Sequence, residues 1–596
     1  MSWLIVYLVT FCYNKQMRFI DVQKPSRYVG GEFGIPEKKE KASINCCMCF
    51  PDTYEVGMSN LGMRILYFLL NEQKGIHCDR CFAPFKDYIE FLKEKQQLLS
   101  GLESKMPLNK FDVIGFSLQY ELCYTNMLYM LDNGGIPLLA NERTEDMPII
   151  IAGGPCTVNA TPVHDFIDLV FVGEAEESIL QFFELLKKEK GKLTRGEIIG
   201  KAHKIIGIYS PALLKKNQVI KRAFVKDINE AYFPNKAVVS NIELVHDRAV
   251  VELFRGCANG CRFCQAGFIY RPVREKSAKK VVQACCDLIN FTGYDEISLN
   301  SLSTGDYSEL VDLVKRLQPL IKEKKVQLSL PSLRLDSFDG DFIQSNRLSS
   351  LTFAPEAGTQ RLRNVINKNI TEEDIFSSIG DSFSRGLSTI KLYFMMGLPT
   401  ETMEDIEGIV EIVSKIKQLY KEKKTSAKSL RINVSIATFI PKPHTPFQWE
   451  GFLSEEEFIK RRDYLRAIFK QKNISFSWND YKTSLLEACL ARGDEKIGEV
   501  LLRAYKNGAV FDGWSEHFNY QAYDEAFSKY NIEPNRYLKK KDIKEKLSWD
   551  FISVGVDKKY LENEITKAYK FQCTKSCYDG CNCCGLQTEG LCNVRN

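Results

Sequence analysis

The chain has 596 residues, of which 44% are hydrophobic and 26% are charged, and this composition excludes a disordered chain. Its 81 basic and 76 acidic residues leave a net charge of only +5, so no global excess of positive charge indicates a protein that wraps nucleic acid. The longest apolar run near the start, Trp3 to Cys12, is shorter than the roughly 20 residues of a membrane span and lacks a basic preceding segment. We therefore predict a cytoplasmic protein of several domains without a membrane partner.

The first part of the chain predicts a Rossmann-like α/β domain over residues 44–208, preceded by an N-terminal extension over 1–43. Short apolar runs such as SINCCMCF and FDVIGFSL alternate with amphipathic helical patterns, which is typical of βαβ units in a parallel sheet. Ligands of such sheets bind beyond the carboxyl ends of the strands. The residues predicted at those ends are Asp52, Tyr54 and Gly57, then Ser117 and Leu118, then Gly153 and Gly154, and finally Gly173 and Glu174.

The middle of the chain predicts a partial barrel over residues 241–450, after a linker over 209–240. Six strand patterns separated by helices begin near Ala249, two fewer than close a barrel of the triosephosphate isomerase type. We therefore expect an open (β/α)6 barrel. Residues 451–570 are predicted to be mostly helical, and residues 571–596 form a cysteine-rich tail.

Twenty cysteines in a chain without a signal peptide indicate metal or redox chemistry rather than a disulfide framework. The cysteines whose close spacing indicates a metal site lie in two places, residues 257–264 and the tail. The other cysteines are interpreted as small hydrophobic residues. Examples are Cys46, Cys47 and Cys49 in a predicted buried strand, Cys285 and Cys286 on a predicted helix, and the lone CxxC pair of Cys78 and Cys81.

The segment RGCANGCRFCQAG spaces Cys257, Cys261 and Cys264 as CxxxCxxC directly after a predicted barrel strand. Soft thiolates select zinc or iron–sulfur clusters. Three thiolates on a four-iron cluster leave one iron open, as a catalytic metal site requires. The alternative is a zinc loop that lacks its fourth ligand, or a chance group of cysteines.

At these residues the chain resembles the radical S-adenosylmethionine (radical SAM) superfamily. The resemblance implies that Cys257, Cys261 and Cys264 bind a [4Fe-4S] cluster, that the open iron binds the amino and carboxylate groups of SAM, and that one electron then releases a 5'-deoxyadenosyl radical. It also implies that Phe263 packs near the adenine. A reducing partner such as flavodoxin or ferredoxin would supply the electron.

The same resemblance extends to later strand ends and gives further candidate SAM contacts. In LNSLSTGD, which occupies the place of a glycine-rich methionine site, the candidates are Ser301, Ser303 and Asp306. The next strands offer polar side chains, and MMGLPTET resembles the turn that shapes the adenine pocket. Structural ion pairs within the barrel and a simple turn are the alternatives for these residues. The candidates are Ser332 and Arg334, Glu356 and Arg361, and Gly397 with Pro399.

The N-terminal domain resembles the cobalamin-binding domain of B12-dependent radical SAM proteins. The signature DxHxxG is represented by Asp52, Tyr54 and Gly57, with Tyr54 in place of the histidine that ligates cobalt. Ser117, Gly153 and Gly154 match the later elements. The chain as a whole resembles an uncharacterised family of B12-binding radical SAM proteins, which implies that cobalamin is bound without a histidine ligand. A domain that binds no corrinoid, or a different nucleotide, is the alternative.

The tail supplies more thiols than one four-ligand site needs. The tail therefore predicts a second metal site, for which an iron–sulfur cluster is preferred over zinc. The alternative is a loose tail that binds nothing. The expected ligands are Cys573, Cys577, Cys581 and Cys584.

The resemblance implies a radical SAM enzyme for methyl transfer, sulfur-group transfer or rearrangement at an unactivated carbon, assisted by cobalamin if the first domain binds it. The substrate class, whether small molecule, protein or RNA, stays open. The alternative function is an iron–sulfur binding or regulatory protein, associated with RNA, that performs no turnover.

Overall fold

The computed structural model describes residues 17–37, 42–330, 351–425, 428–588 and 590–592. None of the helices in these ranges is both long and apolar enough to cross a membrane. The predicted SAM contacts Ser332 and Arg334 lie outside the described residues. The strands are β1 (Ile44–Phe50), β2 (Ile76–Phe82), β3 (Val113–Ser117), β4 (Ile149–Gly153), β5 (Leu169–Phe171), β6 (Ile208–Tyr209), β7 (Ile220–Lys221), β8 (Ala249–Glu252), β9 (Phe254–Arg255), β10 (Arg274–Glu275), β11 (Glu296–Asn300), β12 (Gln327–Ser329), β13 (Leu351–Glu356), β14 (Thr389–Met396), β15 (Arg431–Thr438), β16 (Ser475–Trp478) and β17 (Ile552–Ser553).

Helices follow most of these strands. They are α1 (Tyr54–Met58), α2 (Leu61–Glu72), α3 (Lys86–Glu94), α4 (Tyr124–Asn133), α5 (Glu176–Glu189), α6 (Arg195–Ala202), α7 (Ala266–Ile269), α8 (Ala278–Thr292), α9 (Leu310–Lys324), α10 (Gln360–Val365), α11 (Glu372–Ser384), α12 (Met403–Lys423), α13 (Glu455–Gln471), α14 (Tyr481–Ala491), α15 (Lys496–Lys506), α16 (Tyr520–Lys529), α17 (Asn535–Leu538) and α18 (Lys558–Tyr569).

The first sheet has the strand order β2-β1-β3-β4-β5-β6 within the described residues, and only β6 runs antiparallel to its neighbour. Strand β1 is buried on both faces: Cys47 and Cys49 join one apolar cluster, while Cys46 and Met48 join the other. This alternation explains why a cysteine-rich apolar run forms a central strand. The strand order reverses between β1 and β3, the kind of position where ligands of open α/β sheets bind.

Strand β2 is absent from the sequence-based prediction because its pattern is interrupted by charge. Asp79 and Arg80 lie in the middle of the strand, yet both are buried. Asp79 accepts hydrogen bonds from the backbone N–H groups of Glu103 at 3.0 Å and Ser104 at 2.8 Å. Arg80 pairs with Glu103. The lone CxxC of Cys78 and Cys81 therefore lies on a buried strand.

The barrel strands form two parallel sheets in the described part of the chain, β8-β11-β12 and β13-β14-β15-β16. The first six of these strands agree with the sequence-based pattern, which confirms an α/β chain with a parallel barrel region. Strand β16 is an addition, since its residues were predicted to be helical. Its side chains are largely exposed, so the segment shows no apolar pattern that would distinguish it from a helix end.

The helical C-terminal region contacts both sheets. Thr125 of α4 donates a hydrogen bond to Asp512 at 2.6 Å, and Asn159 donates to the carbonyl of Ala491 at 2.9 Å. On the barrel side, the Arg262 guanidinium pairs with Glu564 of α18 at 3.1 Å. The segment predicted as a linker also takes part, because β7 pairs with β17.

Candidate functional site

The cysteine triad lies in a loop that leaves and re-enters the barrel through a narrow neck. Strands β9 and β10 pair antiparallel, with Arg255 opposite Arg274, so residues 256–273 form a closed excursion that we call the triad loop. Gly256 begins it with a φ of +86°, and a Cβ there would lie 2.4 Å from the carbonyl oxygen of Pro272. Only glycine fits such a neck.

Buried ion pairs hold the base of the triad loop. Arg255 pairs with Glu252 at 2.8 Å, and Arg274 pairs with Glu174 at 2.7 Å. Despite burial, the positive charges of Arg255 and Lys276 lower the pKa of Glu252 to about 2. Because Glu174 follows β5 of the first sheet, these pairs tie the triad loop to that sheet.

The three triad thiols are half-buried, and none forms a disulfide. Burial raises the pKa of the Cys264 thiol, and Cys257, Lys368 and Glu356 are among its charged neighbours. The Asn259 side chain donates to the Cys257 sulfur at 3.7 Å and to the Asp306 carboxylate at 2.9 Å. The sequence did not point to Asn259 or Lys368, because neither stands in a recognisable spacing.

Three thiols at the mouth of a barrel, uncommitted to disulfides, are the donor set that a four-iron cluster requires. In the described part of the chain, no three His, Cys, Asp or Glu side chains are placed so that they could hold one metal ion together. A four-iron cluster does not need such a group, because its thiolates bind different irons. The donor chemistry of the triad therefore fits a [4Fe-4S] cluster with one open iron.

The loop after β11 lies beside the triad, as predicted for the methionine end of SAM. Ser303 is buried and its hydroxyl has no hydrogen-bond partner in the structure. A buried hydroxyl without a partner is costly, so it suits a polar ligand group. The Ser301 hydroxyl instead contacts Thr304 at 3.0 Å. Their contacts with SAM stay a prediction.

Glu356 and Arg361 are placed differently from each other. Glu356 ends β13 at a register irregularity, has a φ of +66° and pairs with Lys368 at 3.1 Å beside the triad. Arg361 donates to the hydroxyl of Thr400 at 3.1 Å and pairs with Asp405. Arg361 thus stabilises the turn after β14. This contact corresponds to the alternative role considered for the residue, a structural ion pair within the barrel.

The turn of Gly397 and Pro399 is stabilised by a buried carboxylate, that of Glu401. Gly397 has a φ of +89°, and its N–H donates to the Glu401 carboxylate at 3.0 Å. Glu401 also pairs with Arg461 of α13. Burial raises the pKa of Glu401 to about 7, whereas Arg461 opposes this shift. Sequence reasoning missed Glu401 and Arg461, since their pairing depends on a distant helix.

Phe263 packs against an apolar cluster between the barrel and the C-terminal region. The cluster includes Leu398, which directly follows Gly397 in the turn. Phe263 and Leu398 of the proposed adenine turn therefore belong to the same apolar cluster. Arg262, between the cysteines, is directed away from the triad, because it pairs with Glu564 and donates to the carbonyl of Val365 at 2.8 Å.

At the end of β1, the predicted corrinoid residues are engaged by protein groups. The Asp52 carboxylate accepts hydrogen bonds from Tyr120 and from the indole of Trp514, the latter at 3.0 Å. The Tyr54 hydroxyl contacts Glu32 at 2.9 Å and Ser240 at 3.0 Å. A Cβ on Gly57 would lie 2.4 Å from the Phe82 ring. These residues therefore offer no side-chain ligand to a cobalt ion.

At the ends of β3 and β4, the backbone is close at Gly154 and has space at Gly153. Gly154 has a φ of +106°, and a Cβ there would lie 2.5 Å from the carbonyl oxygen of Leu118, whereas a Cβ on Gly153 would meet nothing closer than Phe171 at 3.8 Å. Ser117 accepts a hydrogen bond from the Gln119 side chain at 2.7 Å. This edge has the glycine-lined character that a planar or phosphate-bearing cofactor requires, so its residues fit a cobalamin held without a side-chain ligand.

This edge faces the triad loop. Helix α7, which directly follows the triad, packs against the 3-10 helix Pro155–Asn159 that follows Gly154. His444, after β15, contacts the carbonyl of Val158 through its Nε2 at 3.0 Å. The two predicted binding edges are therefore adjacent.

His444 gives a pH-dependent prediction. Burial lowers its pKa from 6.5 to about 4, so the folded protein keeps it neutral while the unfolded chain binds a proton below about pH 6.5. Its contribution to stability is complete above that value and is lost as the pH falls toward 4. We expect wild type to lose about 2.5 kcal/mol relative to His444→Gln between about pH 7.5 and pH 4.5. Urea unfolding of both proteins at the two pH values measures this, and a constant difference would contradict it.

The cysteine-rich tail lies against the triad loop. The backbone N–H of Cys577 donates to the carbonyl of Ala258 at 3.0 Å, and the Tyr578 hydroxyl donates to the carbonyl of Asp306 at 3.3 Å. Cys573 and Cys583 are exposed, while Cys577, Cys581 and Cys584 are partly buried.

A large cleft lies away from these residues. It has a volume of about 1450 Å³ and is lined by residues around Asp168, Lys215, Arg492 and Lys539. None of the triad or first-sheet candidates lines it, so we place the candidate site by chemistry rather than by cavity size.

Comparison with known families and proteins identifies the class of this chain. Two family profiles match, one described as the N-terminal part of radical SAM proteins over residues 62–211 and one as the radical SAM superfamily over residues 251–413. Together they span more than half of the chain, and the second includes the triad.

Three similar proteins illustrate the relationship. An uncharacterised protein of Methanocaldococcus jannaschii is 28% identical over 459 residues, which are 77% of this chain and 90% of that protein. A tRNA-2-methylthio-N(6)-dimethylallyladenosine synthase of Hydrogenobaculum is 22% identical over 319 residues, which are 50% of this chain and 68% of that protein. The solved structure of the radical SAM methyltransferase TsrM from Kitasatospora setae, with cobalamin and a [4Fe-4S] cluster bound, has a TM-score of 0.48 at 11% identity and covers 68% of this chain and 77% of that chain.

The chain belongs to the radical SAM superfamily. It is accordingly an enzyme whose cofactors include an iron–sulfur cluster and SAM, and it needs a reductant. This confirms the enzymatic interpretation over a binding protein without turnover.

Proposed function

We propose that the enzyme transfers a methyl or sulfur-containing group to an unactivated carbon, with cobalamin bound at the carboxyl edge of the first sheet. The observation that carries the proposal is the adjacency of two binding edges. Helix α7, which is part of the triad loop, packs against the segment after Gly154. At the base of the loop, Arg274 pairs with Glu174, which follows β5. A cofactor on the first sheet would thus lie next to SAM on the barrel.

The relationship to a tRNA methylthio-adenosine synthase supports this class of reaction. The substrate class stays open among small molecules, proteins and RNA. Flavodoxin or ferredoxin is the proposed electron donor.

In this proposal the residues of the chain bind and orient. Cys257, Cys261 and Cys264 would hold the [4Fe-4S] cluster, which together with SAM supplies a 5'-deoxyadenosyl radical. Asn259 would donate to the Cys257 sulfur and fix Asp306, while the unpartnered hydroxyl of Ser303 would accept or donate at the methionine end of SAM. Hydrogen bonds to cluster sulfur tune the reduction potential.

Other groups keep the site closed to water. The apolar cluster around Phe263 and Leu398 covers the adenine side, and Glu356 with Lys368 supplies a charged pair next to Cys264. Exclusion of water protects a reactive radical from side reactions.

Cobalamin binding is tested with Gly153→Leu. A Cβ at Gly153 meets nothing closer than 3.8 Å, so the fold tolerates a larger side chain, which would fill the space at the strand end. We expect wild type to co-elute with hydroxocobalamin after anaerobic reconstitution and to show a spectrum without a histidine ligand, whereas Gly153→Leu loses at least about 10-fold in occupancy.

Gly196→Leu is the matched control, because a Cβ at Gly196 meets nothing within 4 Å and that residue lies on α6, away from the edge. The control should bind cobalamin like wild type. If wild type with an intact cluster fails to retain cobalamin, the cobalamin part of the proposal is wrong.

A further inference from the structure

We propose that the tail binds a second iron–sulfur cluster through Cys577, Cys581, Cys584 and Cys592, with Arg271 of the triad loop as its buried counter-ion. This site is independent of the reaction proposed above. It differs from the ligand set expected from the sequence, because Cys592 takes the place of Cys573.

The start of the tail is anchored to the triad loop at several points. The Thr574 N–H donates to the Asn367 side chain at 2.7 Å, and the same Asn367 donates to the carbonyl of Gly260 at 3.0 Å. Three residues later, Cys577 donates its N–H to Ala258 at 3.0 Å. The first thiol of the proposed site therefore has a defined position relative to the triad.

The rest of the tail folds back toward Cys577. The Asp557 N–H donates to the carbonyl of Cys584 at 2.9 Å, and the Leu591 N–H donates to the carbonyl of Leu586, whose side chain is buried, at 2.9 Å. As a result, Cys584 and Cys592 both lie within electrostatic range of Cys577.

Two of the sulfurs already accept hydrogen bonds from N–H groups. Asn582 donates to the Cys577 sulfur at 3.7 Å, and the backbone of Cys583 donates to the Cys581 sulfur at 3.3 Å. Loops that bind metal–thiolate clusters direct N–H groups at sulfur in this way, because each such bond stabilises negative charge.

Arg271 supplies the independent observation that points to a bound anion. It is 1% exposed, and no acceptor reaches either terminal guanidinium nitrogen, although the Tyr560 hydroxyl lies nearby. Its charge interacts with Cys577 and Cys584. The Arg271 Nε donates to the carbonyl of Gly267 at 2.8 Å, but the two terminal nitrogens are buried without acceptors, which is unfavourable. A thiolate-ligated cluster provides both negative charge and sulfur acceptors.

Arg262 shows what a satisfied arginine looks like in the same loop. It is also fully buried, yet its guanidinium is paired with Glu564 and donates to the carbonyls of Val365 and Gln572. Cys573 is exposed and interacts with this satisfied pair rather than with Arg271. We therefore exclude Cys573 from the ligand set.

The test is iron and sulfide content after anaerobic reconstitution with iron and sulfide. Wild type should hold about eight irons per chain, as two four-iron clusters require, and Cys592→Ser and Cys577→Ser should each hold about four. Cys573→Ser and Cys583→Ser are the matched controls and should keep the wild-type content. Retention of the four triad irons shows that the tail variants are folded.

Arg271→Met gives a second readout. Removal of a buried positive charge makes reduction harder, so the midpoint potential of the tail cluster, followed by electron paramagnetic resonance, should shift to more negative values or the cluster should be lost. Three results would overturn the proposal: about four irons in wild type, an iron content unaffected by Cys592→Ser, or zinc in place of iron at these thiols. All three are distinguishable from failure of methyl or sulfur transfer, since none requires turnover.

Discussion

Cys257→Ala, Cys261→Ala and Cys264→Ala should each reduce SAM cleavage by at least about 100-fold, since even loss of an outer partner of a metal ligand costs on that order. Each thiol holds a different iron of the proposed cluster, so any one replacement removes the geometry that leaves one iron open. The loop should keep its shape, because its neck and base are held by Gly256, Arg255 and Arg274 rather than by the thiols. Release of 5'-deoxyadenosine by anaerobically reduced protein, measured by mass spectrometry, gives the result.

Cys286→Ser is the control for this experiment. Cys286 is partly buried on α8, away from both cysteine groups, so the Cys286→Ser variant should cleave SAM like wild type. Wild-type rates of deoxyadenosine formation in any triad variant would refute the assignment of the ligands.

Gly256→Ala should have the next largest effect. The added Cβ would lie 2.4 Å from the Pro272 oxygen and 2.8 Å from the Tyr270 oxygen, and the φ of +86° is itself unfavourable for alanine. Backbone strain of this kind costs roughly 1–3 kcal/mol. The loop can relieve it only by opening its neck, which displaces Cys257. We therefore expect both a lower free energy of unfolding and loss of most of the triad iron.

Gly267→Ala is a matched change in the same loop. Its Cβ would meet Cys264 no closer than 3.8 Å, an ordinary contact, so stability and triad iron should stay near wild type. If both alanine variants retain full iron, the neck does not control the geometry of the triad.

Much of the fold could be predicted because most of the longer strands carry their own local signal. Strand β1 is a continuous apolar run, and β14 is followed by a glycine turn and a helix start at Thr402. Strand β2 was missed because Asp79 and Arg80 interrupt its apolar pattern. Both side chains are satisfied by a residue more than twenty positions away, since the Glu103 N–H donates to Asp79 and the Glu103 carboxylate pairs with Arg80. Strands β7 and β17 were missed because two residues each are too few to show a period.

The candidate site divides in the same way. The triad could be proposed from the sequence because its three cysteines lie in one short spacing, and the radical SAM profile spans them. The partners of the triad loop were not predictable. Arg262 pairs with Glu564 across 302 residues, and no local pattern links Arg271 to the tail thiols. Tyr54 was a candidate cofactor-binding residue in place of a cobalt-ligating histidine, and no sequence pattern indicated that its hydroxyl contacts Glu32 and Ser240.

The contacts of the C-terminal region with both sheets bear on how this enzyme can be handled as fragments. Asp512 binds the helix after β3, and Glu564 binds the triad loop, so cutting the chain between the sheets would leave each piece with buried polar groups and apolar surface exposed to solvent. Separately expressed halves should therefore aggregate, and mixing them should not restore a soluble complex. Modular exchange of the first sheet with that of another protein would have to carry residues 481–530 along with it.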